Sequence, residues 1–220
     1  ISETGAFLRL KNRLIEIKFD NGELYTLPVE ELGVLLLSNP SLTLTQPLLS
    51  AIVESGGMIV LCDSRYLPSG MLLPFGSHSI AAANYQDQVS ASEPTKKQIW
   101  KQIVQKKIEF QSRLLKYTHQ DDAGLKGLIK RVQSGDTSNL EGQAARRYWK
   151  ALFGDQFIRH RDAQDHNRYL NYGYTVLRAC TARAICSVGL HPSFGIHHHS
   201  GYHAFRLDDD LMELFRPLVD

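Results

Sequence analysis

Cysteine is scarce in this chain of 220 residues, which contains only Cys62, Cys180 and Cys186 and no C-x-x-C pair. An odd number of cysteines without paired spacing argues against a disulfide framework and against a structural zinc site built on thiolates. The pattern is typical of small side chains buried in the core of a protein from a reducing compartment. We therefore predict free, buried cysteines and a cytoplasmic protein.

Long apolar runs and a large net charge are also lacking. No apolar stretch approaches the roughly 20 residues that span a bilayer, and the first residues lack the basic and apolar regions of a signal peptide. The chain starts at Ile1 rather than at Met, which indicates an altered or incomplete N-terminus. The net charge of +2 permits binding to nucleic acids without arguing for it. A hydrophobic content of 43% is enough for one large domain or two small ones.

Residues 1–76 are predicted to form a β-rich domain. Apolar and polar residues alternate across 6–19 around a tight turn at Lys11-Asn12, and Asp20-Asn21-Gly22 is a strong hairpin signal because Asn and Gly tolerate positive φ. The other elements predicted in this part are a strand in 29–38, a short helix between Thr45 and Gly56-Gly57, a buried strand in 58–63 and a hairpin around Pro68-Ser69-Gly70.

The second part of the chain is predicted to be helical. Residues 77–91 are Ala-rich and polar, which we interpret as a partly helical linker, and Ser92 with Pro94 marks the start of a long helix. Because strands precede helices rather than alternate with them, we predict an α+β fold with an all-α domain over 92–220. The further helices are predicted at about 125–132, 138–154, 165–188 and 208–220.

The segment 189–220 concentrates histidines and acids. A hard cation needs carboxylate oxygens, often with an imidazole, brought together in space. Asp210 and Glu213 are three residues apart and share a face of the predicted last helix. Acids at 208–210 are equally explained by the macrodipole, which acids near a helix N-terminus stabilise. A zinc-dependent hydrolase is another interpretation, but the histidines lack an H-E-x-x-H arrangement. These histidines are His191, His197, His198, His199 and His203.

A second carboxylate, Glu141, lies in the first turn of the helix predicted at 138–154. The simpler interpretation is a capping box, in which Glu141 and Ser138 each bind the other residue's backbone amide. Gly142 argues for another role, because glycine disfavours helix unless close backbone approach requires it. The rest of this helix is largely apolar, so a first-turn acid would face other elements. Glu141 is therefore also a candidate metal ligand.

Four motifs follow one another in the second half of the chain: SNLEGQAARRYWKALFG, DHNRYLNYGYTVLRA, GLHPSFGIHH and DLMELFRPLVD. They resemble the E-G-x-x-A-R-x-Y-W, N-x-x-L-N-Y-G-Y-x-x-L, G-L-x-P-x-x-G-x-x-H and D-L-M-E-x-F-R-P-x-V-D segments of Cas1, the CRISPR-associated integrase family. The N-terminal ETGAFLRLKNRLIEI is similar to the family's opening β-hairpin. The resemblance covers essentially the whole chain, and FIRHR resembles the form found in type II systems.

The resemblance implies a site for Mg²⁺ or Mn²⁺ in the all-α domain, which would then be the catalytic domain. It implies Glu141 as the metal-binding acid and His198, three residues after Gly195, as the histidine ligand. Glu213 best matches the third ligand, and Asp210 matches an acid that assists nearby or shares the metal. A His and two carboxylates suit a hard divalent cation that keeps open water positions.

The resemblance further implies that Tyr172 lines the site. Arginines beside the motifs are candidates for contacts with DNA phosphates, and solvated surface charges are the alternative. These arginines are Arg146, Arg147, Arg159 and Arg161.

The implied activity is a metal-dependent DNA endonuclease and integrase. It inserts protospacer DNA into a CRISPR array by transesterification, with a 3′-hydroxyl as nucleophile. The implied partners are double-stranded DNA, a second copy of the chain and the small Cas2 protein, with the β-rich domain as the dimer platform. Family members usually continue with further helices after R-P-x-V-D, so the resemblance implies that these C-terminal helices are missing, and an inactive fragment is one alternative. The alternative is a catalytically silent DNA-binding scaffold of the same complex.

Overall fold

The structure is a computed structural model that describes residues 5–64, 68–74, 78–160, 166–198 and 205–220. Packing divides the chain into two compact units. The first contains Ile1–Tyr85 with Ala179–Leu190, and the second contains Gln86–Arg178 with His191–Asp220. The boundaries predicted at residues 76 and 91 stay a prediction. The segment predicted as a partly helical linker contains a helix, Ala81–Ser90.

The first unit holds two β-sheets. In the four-stranded sheet the order is β3-β2-β1-β5, and in the three-stranded sheet it is β4-β6-β7. The pairs β1–β5 and β4–β6 are parallel, and the other neighbouring strands are antiparallel. The strands are β1 (Ala6–Lys11), β2 (Leu14–Phe19), β3 (Leu24–Pro28), β4 (Val34–Leu37), β5 (Thr43–Leu44), β6 (Met58–Cys62) and β7 (Pro68–Leu72).

Turn chemistry in this unit follows the sequence closely. Asn12 and Arg13, both with positive φ, connect β1 to β2, and Gly22 has a φ of 90° in the turn before β3. The helix α1 (Gln46–Glu54) begins after Thr45 as predicted. The hairpin predicted around Pro68 is wrong in its position, because Pro68–Gly70 belong to β7. Proline is tolerated as the first residue of an edge strand, where its missing N–H interrupts no ladder.

The core of the first unit forms where α1 packs on the strands. Its fully buried members include Leu8, Ile15, Leu48 and Ile52. A second cluster joins Met58 and Val60 of β6 to Ala179 and Ala182. The three cysteines are free, as predicted, but only Cys186 is buried. Cys62 is half-buried and Cys180 is exposed, so the prediction of burial is wrong for Cys180.

The remaining helices are α2 (Ala81–Ser90), α3 (Glu93–His119), α4 (Lys126–Ile129), α5 (Leu140–Phe153), α6 (Asn167–Ser187) and α7 (Arg206–Met212). Short 3₁₀ turns lie at Val29–Glu31, Ser134–Asp136 and Arg216–Leu218. Strands followed by helices confirm the predicted α+β fold. Within the part of the chain that the structure describes, no helix is both long and apolar enough to cross a membrane.

The second unit is built around α3. Its start is the predicted one, because the Ser92 hydroxyl accepts a hydrogen bond from the Thr95 amide at 3.3 Å. The buried face of α3 packs against α4 and α5. The members of this core with less than 2% exposure include Trp100, Val104, Ile108, Leu115, Leu125, Leu128, Leu140, Ala144 and Tyr148. This packing brings the first turn of α5 against the middle of α3.

Candidate active site

The first turn of α5 is fixed by a network that holds Glu141 in place. The carboxylate of Asp136 accepts hydrogen bonds from the amides of Leu140 and Glu141, both at 2.9 Å. The side chain of Asn139 accepts from the Gly142 amide at 3.0 Å. These side chains satisfy the amides that the start of a helix leaves unpaired. The helix therefore begins at Leu140, two residues after the predicted Ser138 cap.

The capping box predicted for Ser138 and Glu141 is consequently wrong. Asn139 is the cap residue, and the carboxylate of Glu141 points to another element instead of its own helix end. The predicted reason for Gly142 is supported, because a Cβ atom at this position would lie 2.6 Å from Oδ1 of Asn139. Glycine is needed here for the cap side chain to approach the backbone.

Glu141 meets Glu213 on a single cation, the ammonium group of Lys107. Nζ of Lys107 lies 2.5 Å from Oε1 of Glu141 and also donates to Oε2 of Glu213. The Lys107 side chain is 9% exposed, so this contact is almost fully removed from water. Glu213 follows α7 and also pairs with Arg216 at 2.8 Å. The helices α3 and α5 and the segment after α7 thus place both carboxylates against the ammonium group of Lys107.

The charges around this point shift the pKa values of both partners. Burial by itself would raise the pKa of Glu213, but Lys107 and Arg216 hold it below its usual value. Burial would likewise lower the pKa of Lys107, and Glu213 and Glu141 raise it above its usual value. Both groups are therefore charged at neutral pH, and the carboxylates are poised to bind a cation.

His198 is near enough to Glu213 for the two groups to shift each other's pKa, and its ring is oriented by Asp210. Nδ1 of His198 lies 2.6 Å from Oδ1 of Asp210. The hydrogen bond to Asp210 raises the pKa of His198, although partial burial opposes this. Because Asp210 engages Nδ1, the other ring nitrogen, Nε2, is left as the atom that could ligate a metal.

Asp210 itself is fully buried, and both of its carboxylate oxygens take part in hydrogen bonds. Its two oxygens also accept from the backbone amides of Ile196, His197 and His198, at 2.5, 3.0 and 3.2 Å. Burial would raise its pKa, but His198 and these amides hold it below the usual value. An acid with this many hydrogen bonds positions the histidine loop rather than offering a free oxygen.

The histidine loop is further shaped by Gly195 and Trp100. A Cβ atom on Gly195 would lie 2.6 Å from Cβ of Arg206 and 3.2 Å from Oδ2 of Asp210, so a side chain would not fit. The ring of His197 stacks on the buried Trp100 with centroids 4.1 Å apart, and His198 meets the same indole edge-on at 5.9 Å. Trp100 and Lys107 are seven residues apart on α3, which places both on one face of the helix.

The donor set of this site fits a hard divalent cation. Glu141 and Glu213 already converge on a positive charge, and the imidazole of His198, whose orientation Asp210 fixes, interacts electrostatically with Glu213. Among the residues described, no three His, Cys, Asp or Glu side chains are grouped closely enough to enclose a metal ion. Lys107 occupies the point between the carboxylates instead, so a metal would have to replace its ammonium group there.

The other predicted residues are less engaged with this site. Tyr172 is 63% exposed, and no hydrogen bond or ring contact in the described ranges links it to Glu141, His198 or Glu213. Arg146 and Arg147 are exposed on α5. Arg159 donates to the side chains of Asn167 and Asn171 at 2.9 and 2.6 Å, so much of its hydrogen bonding is used within the protein.

Several predicted positions lie outside the described residues, namely Arg161, His199 and His203. The backbone amide of His191 donates to the side chain of Gln88, and its ring contacts Phe194. The zinc interpretation therefore gains no support from the histidines that are described.

Lys107, Asp136 and Trp100 are the residues that the sequence analysis missed. The only signal for Lys107 is its spacing, since it follows Trp100, Ile103 and Val104 on the apolar stripe of α3. A lysine at a core-facing position needs a buried carboxylate partner, and this rule could have drawn attention to it.

Comparison with known proteins agrees with this architecture. The family model described as "CRISPR associated protein Cas1" matches residues 1–220. The CRISPR-associated endonuclease Cas1 of Neisseria meningitidis serogroup C (strain 8013) is 40% identical over 220 residues, which cover 99% of this chain and 72% of that protein.

Solved structures with similar folds have lower sequence identity. A casposase bound to integration product has a TM-score of 0.80 at 22% identity and covers 98% of this chain and 68% of its own. A Cas1 protein from Thermotoga maritima has a TM-score of 0.75 at 19% identity, and the match covers 97% of this chain and 73% of that protein. A chain of a Cas6-RT-Cas1–Cas2 complex has a TM-score of 0.75 at 23% identity, and the match covers 100% of this chain and 26% of that one. The chain belongs to the CRISPR-associated Cas1 family.

Proposed function

We propose that this protein is a divalent-metal-dependent DNA endonuclease and integrase that inserts protospacer DNA into a CRISPR array. The observation that carries the proposal is the contact of both Glu141 and Glu213 with one buried cation, Lys107, together with the electrostatic interaction between Glu213 and the oriented His198. Membership of the Cas1 family and the endonuclease name of the Neisseria relative support this activity. The FIRHR segment and this relative are the grounds for proposing a type II system.

In the proposed reaction the oxygen of a protospacer 3′-hydroxyl forms a bond to a phosphorus atom at the repeat boundary. The bond from this phosphorus to the 3′ oxygen of the nucleotide on the other side of the boundary breaks, and that oxygen leaves with a proton. Joining DNA by this exchange needs no external energy source, because one phosphodiester replaces another. With water as the nucleophile, the same site would act as an endonuclease.

Each residue of the site has a distinct role in this proposal. Glu141, His198 and Glu213 would hold Mg²⁺ or Mn²⁺, which when bound polarises a phosphodiester and stabilises the negative charge of its transition state. Asp210 keeps the imidazole of His198 in one orientation through Nδ1. Tyr172 remains a candidate for lining the site, and Arg146, Arg147, Arg159 and Arg161 remain candidates for contacts with DNA.

The proposed partners are double-stranded DNA, a second copy of this chain and Cas2. The Cas6-RT-Cas1–Cas2 complex and the casposase bound to integration product have similar folds, which supports a comparable assembly for this chain. The second candidate function is a catalytically silent DNA-binding scaffold. The specific observation in its favour is that Lys107 fills the point between the two carboxylates.

A disintegration assay on branched DNA distinguishes the two functions. The protein would be incubated with Mg²⁺ or Mn²⁺, and strand transfer would be followed for the original chain and for Glu141→Gln, His198→Ala and Glu213→Gln. A metal-dependent enzyme loses about 10- to 100-fold of its rate in each variant, because changes around a metal site remove metal affinity or activity. A catalytically silent scaffold gives the same strand-transfer result for the original chain and for the three variants.

The matched control is Glu109→Gln, which removes a carboxylate of α3 that pairs with Lys106 and Arg113 at the surface. This variant should keep its strand-transfer rate within a few-fold. Thermal unfolding and DNA binding would be measured for every variant, so that a loss of rate is not mistaken for a loss of fold. Full activity of Glu141→Gln and Glu213→Gln would contradict the proposed function.

A further inference from the structure

The second unit contains an open cleft of about 600 Å³ on another face of the α3–α5 pair. Its walls are the N-terminal part of α3, the segment 130–134 and the residues that begin α5. All of these residues lie within the continuous described range 78–160. The polar side chains that matter for its chemistry are Gln98, Lys101, Lys130, Arg131, Gln133 and Ser138.

The cleft is positively charged, and its charge is not compensated locally. Lys101, Lys130 and Arg131 line it, and no Asp or Glu does. Within 78–160 and the other described ranges, no carboxylate forms an ion pair with any of these three cations. Other cations of α3 behave differently, since Lys106 and Arg113 both pair with Glu109. Uncompensated cations with amide and hydroxyl groups between them are the chemistry that recognises phosphate groups.

This positive charge comes from side chains and not from the start of α5. The first amides of α5 already donate to Asp136 and Asn139, so none of them is available to an anion at the cleft. Any anion bound here would therefore depend on the lysines and the arginine. Substitutions of these three side chains can therefore remove anion binding by the cleft and leave the cap of α5 intact.

The cleft is next to the candidate active site along both helices. Leu140 lines the cleft, and the following residue is Glu141. Lys101 precedes Lys107 by six residues, which corresponds to about 9 Å along the axis of α3. Successive nucleotides of one DNA strand rise about 3.4 Å, so this distance spans two or three nucleotides.

We infer that the cleft binds the phosphodiester backbone of DNA two or three nucleotides from the reacting phosphate. No aromatic side chain lines the cleft, so it offers no platform on which bases could stack. Contacts to the backbone alone position a strand without reading its sequence. The inference rests on the proposed function, because the proposed reaction puts DNA at Glu141.

The test compares the salt dependence of DNA binding between charge variants. Lys130→Gln/Arg131→Gln removes two exposed cations of the cleft, and Lys116→Gln/Lys126→Gln removes two exposed cations elsewhere in the same unit as the control. Affinity for a branched DNA would be measured by fluorescence anisotropy from 50 to 200 mM salt. Each phosphate contact contributes about 0.9 to the slope of log affinity against log salt, so the cleft variant should lose about 1.8 in slope and the control almost none.

A second arm locates the contacts on the DNA. Neutral methylphosphonate linkages would replace the phosphates two and three nucleotides from the junction, on each arm of the substrate in turn. On one arm this replacement should weaken binding of the original protein as much as the cleft variant does, and should not weaken binding of the cleft variant further. Equal slopes for the cleft variant and the original protein would overturn the inference.

The outcomes for the cleft and for the proposed function are separable. Normal metal-dependent strand transfer with an unchanged slope in the cleft variant would refute the cleft and leave the proposed function standing. A reduced slope together with no strand transfer in any protein would support the cleft and count against the proposed function. Failure of the original protein to bind DNA at low salt would overturn both.

Discussion

At the scale of single residues, Lys107 is the group on which the site depends. It is a buried cation between Glu141 and Glu213, and without it the buried carboxylate of Glu213 would lose its main counter-charge. Removing one partner of a buried ion pair leaves an uncompensated charge, which costs about 3–5 kcal/mol. The same ammonium competes with any metal for the two carboxylates. Stability and metal affinity should therefore respond to Lys107 in opposite directions.

Lys107→Met tests this opposition. We expect the variant to unfold at a lower temperature than the original protein without metal, and to be stabilised more by Mn²⁺, because the competing cation is gone. Thermal unfolding with and without Mn²⁺ and calorimetric titration of Mn²⁺ would measure the two effects. Lys106→Met, which removes a surface partner of Glu109, serves as the control and should change neither. Weaker Mn²⁺ binding by a folded Lys107→Met would show that the ammonium does not compete with the metal.

A second residue, Asp208, makes stability depend on pH. Burial is the main cause that raises its pKa from 3.8 to about 8, although Arg178 lies 3.7 Å away. Neither of its oxygens accepts a hydrogen bond from the residues described. In the unfolded chain this acid loses its proton near pH 4, whereas the folded protein keeps it to about pH 8. The folded state thus binds more protons in this window, and its stability falls as the pH rises through it.

Asp208→Asn should remove this loss of stability. We expect the variant to exceed the original protein in unfolding free energy at pH 8 by on the order of 1–3 kcal/mol, and to show a smaller difference or none at pH 5. Urea unfolding at the two pH values would measure both. Asp209→Asn is the matched control, because it breaks an ion pair with Arg178 and should not become more stable at pH 8. If the difference in unfolding free energy between Asp208→Asn and the original protein does not increase from pH 5 to pH 8, this account of Asp208 is contradicted.

At the scale of elements, the start of α5 decides where Glu141 lies. Asp136 and Asn139 adopt positive φ values of 47° and 50°, and both use their side chains to cap the helix. We expect Asp136→Ala to cost about 2 kcal/mol, because it removes two amide partners and places Ala in a left-handed conformation. Ser138→Ala should cost less than about 0.5 kcal/mol, because Ser138 is not the cap. Urea unfolding would measure the loss of unfolding free energy in each variant. A larger loss for Ser138→Ala than for Asp136→Ala would support the capping box after all.

The elements also show which kinds of pattern the sequence reveals. The start of α3 at Ser92 and the turn at Gly22 were predicted correctly because their signals are local: a hydroxyl cap and a glycine with positive φ. The true cap of α5 was missed because Asp136 sits in a separate 3₁₀ turn, several residues before the helix. α4 is much shorter than its predicted span, since apolar spacing at 125–132 marks buried residues and does not require a continuous helix.

At the scale of the whole molecule, the sequence predicted the order of strands and helices but not which distant segments pack together. Residues 179–190 belong to the first unit because Ala179 and Ala182 pack against Met58 and Val60. Contacts so distant in sequence leave no periodic signal. The same limit applies to the site: its ligands were proposed from a family resemblance, whereas their counter-ion Lys107 emerges only when α3, α5 and the segment after α7 are brought together.

The proposed homodimer makes a prediction at this scale. β3 is an edge strand whose Leu24 and Tyr25 are 57% and 56% exposed, and edge strands with apolar side chains favour pairing with another chain. We expect Leu24→Lys/Tyr25→Lys to weaken self-association about tenfold or more, measured by sedimentation. Tyr117→Lys, an equally drastic change at a residue of α3 that is 89% exposed, is the control. Unchanged self-association of the β3 variant would exclude this edge as the dimer platform.

The most direct measurement of the central claim is equilibrium binding of Mn²⁺, followed by electron paramagnetic resonance. It would compare the original protein with Glu141→Gln, His198→Gln and Glu213→Gln, and with Glu109→Gln as the control. If the three residues hold one metal ion, each of their variants should bind Mn²⁺ at least about tenfold more weakly, and the control should match the original protein. Mn²⁺ affinity that stays the same in all three variants would contradict the assignment of this site.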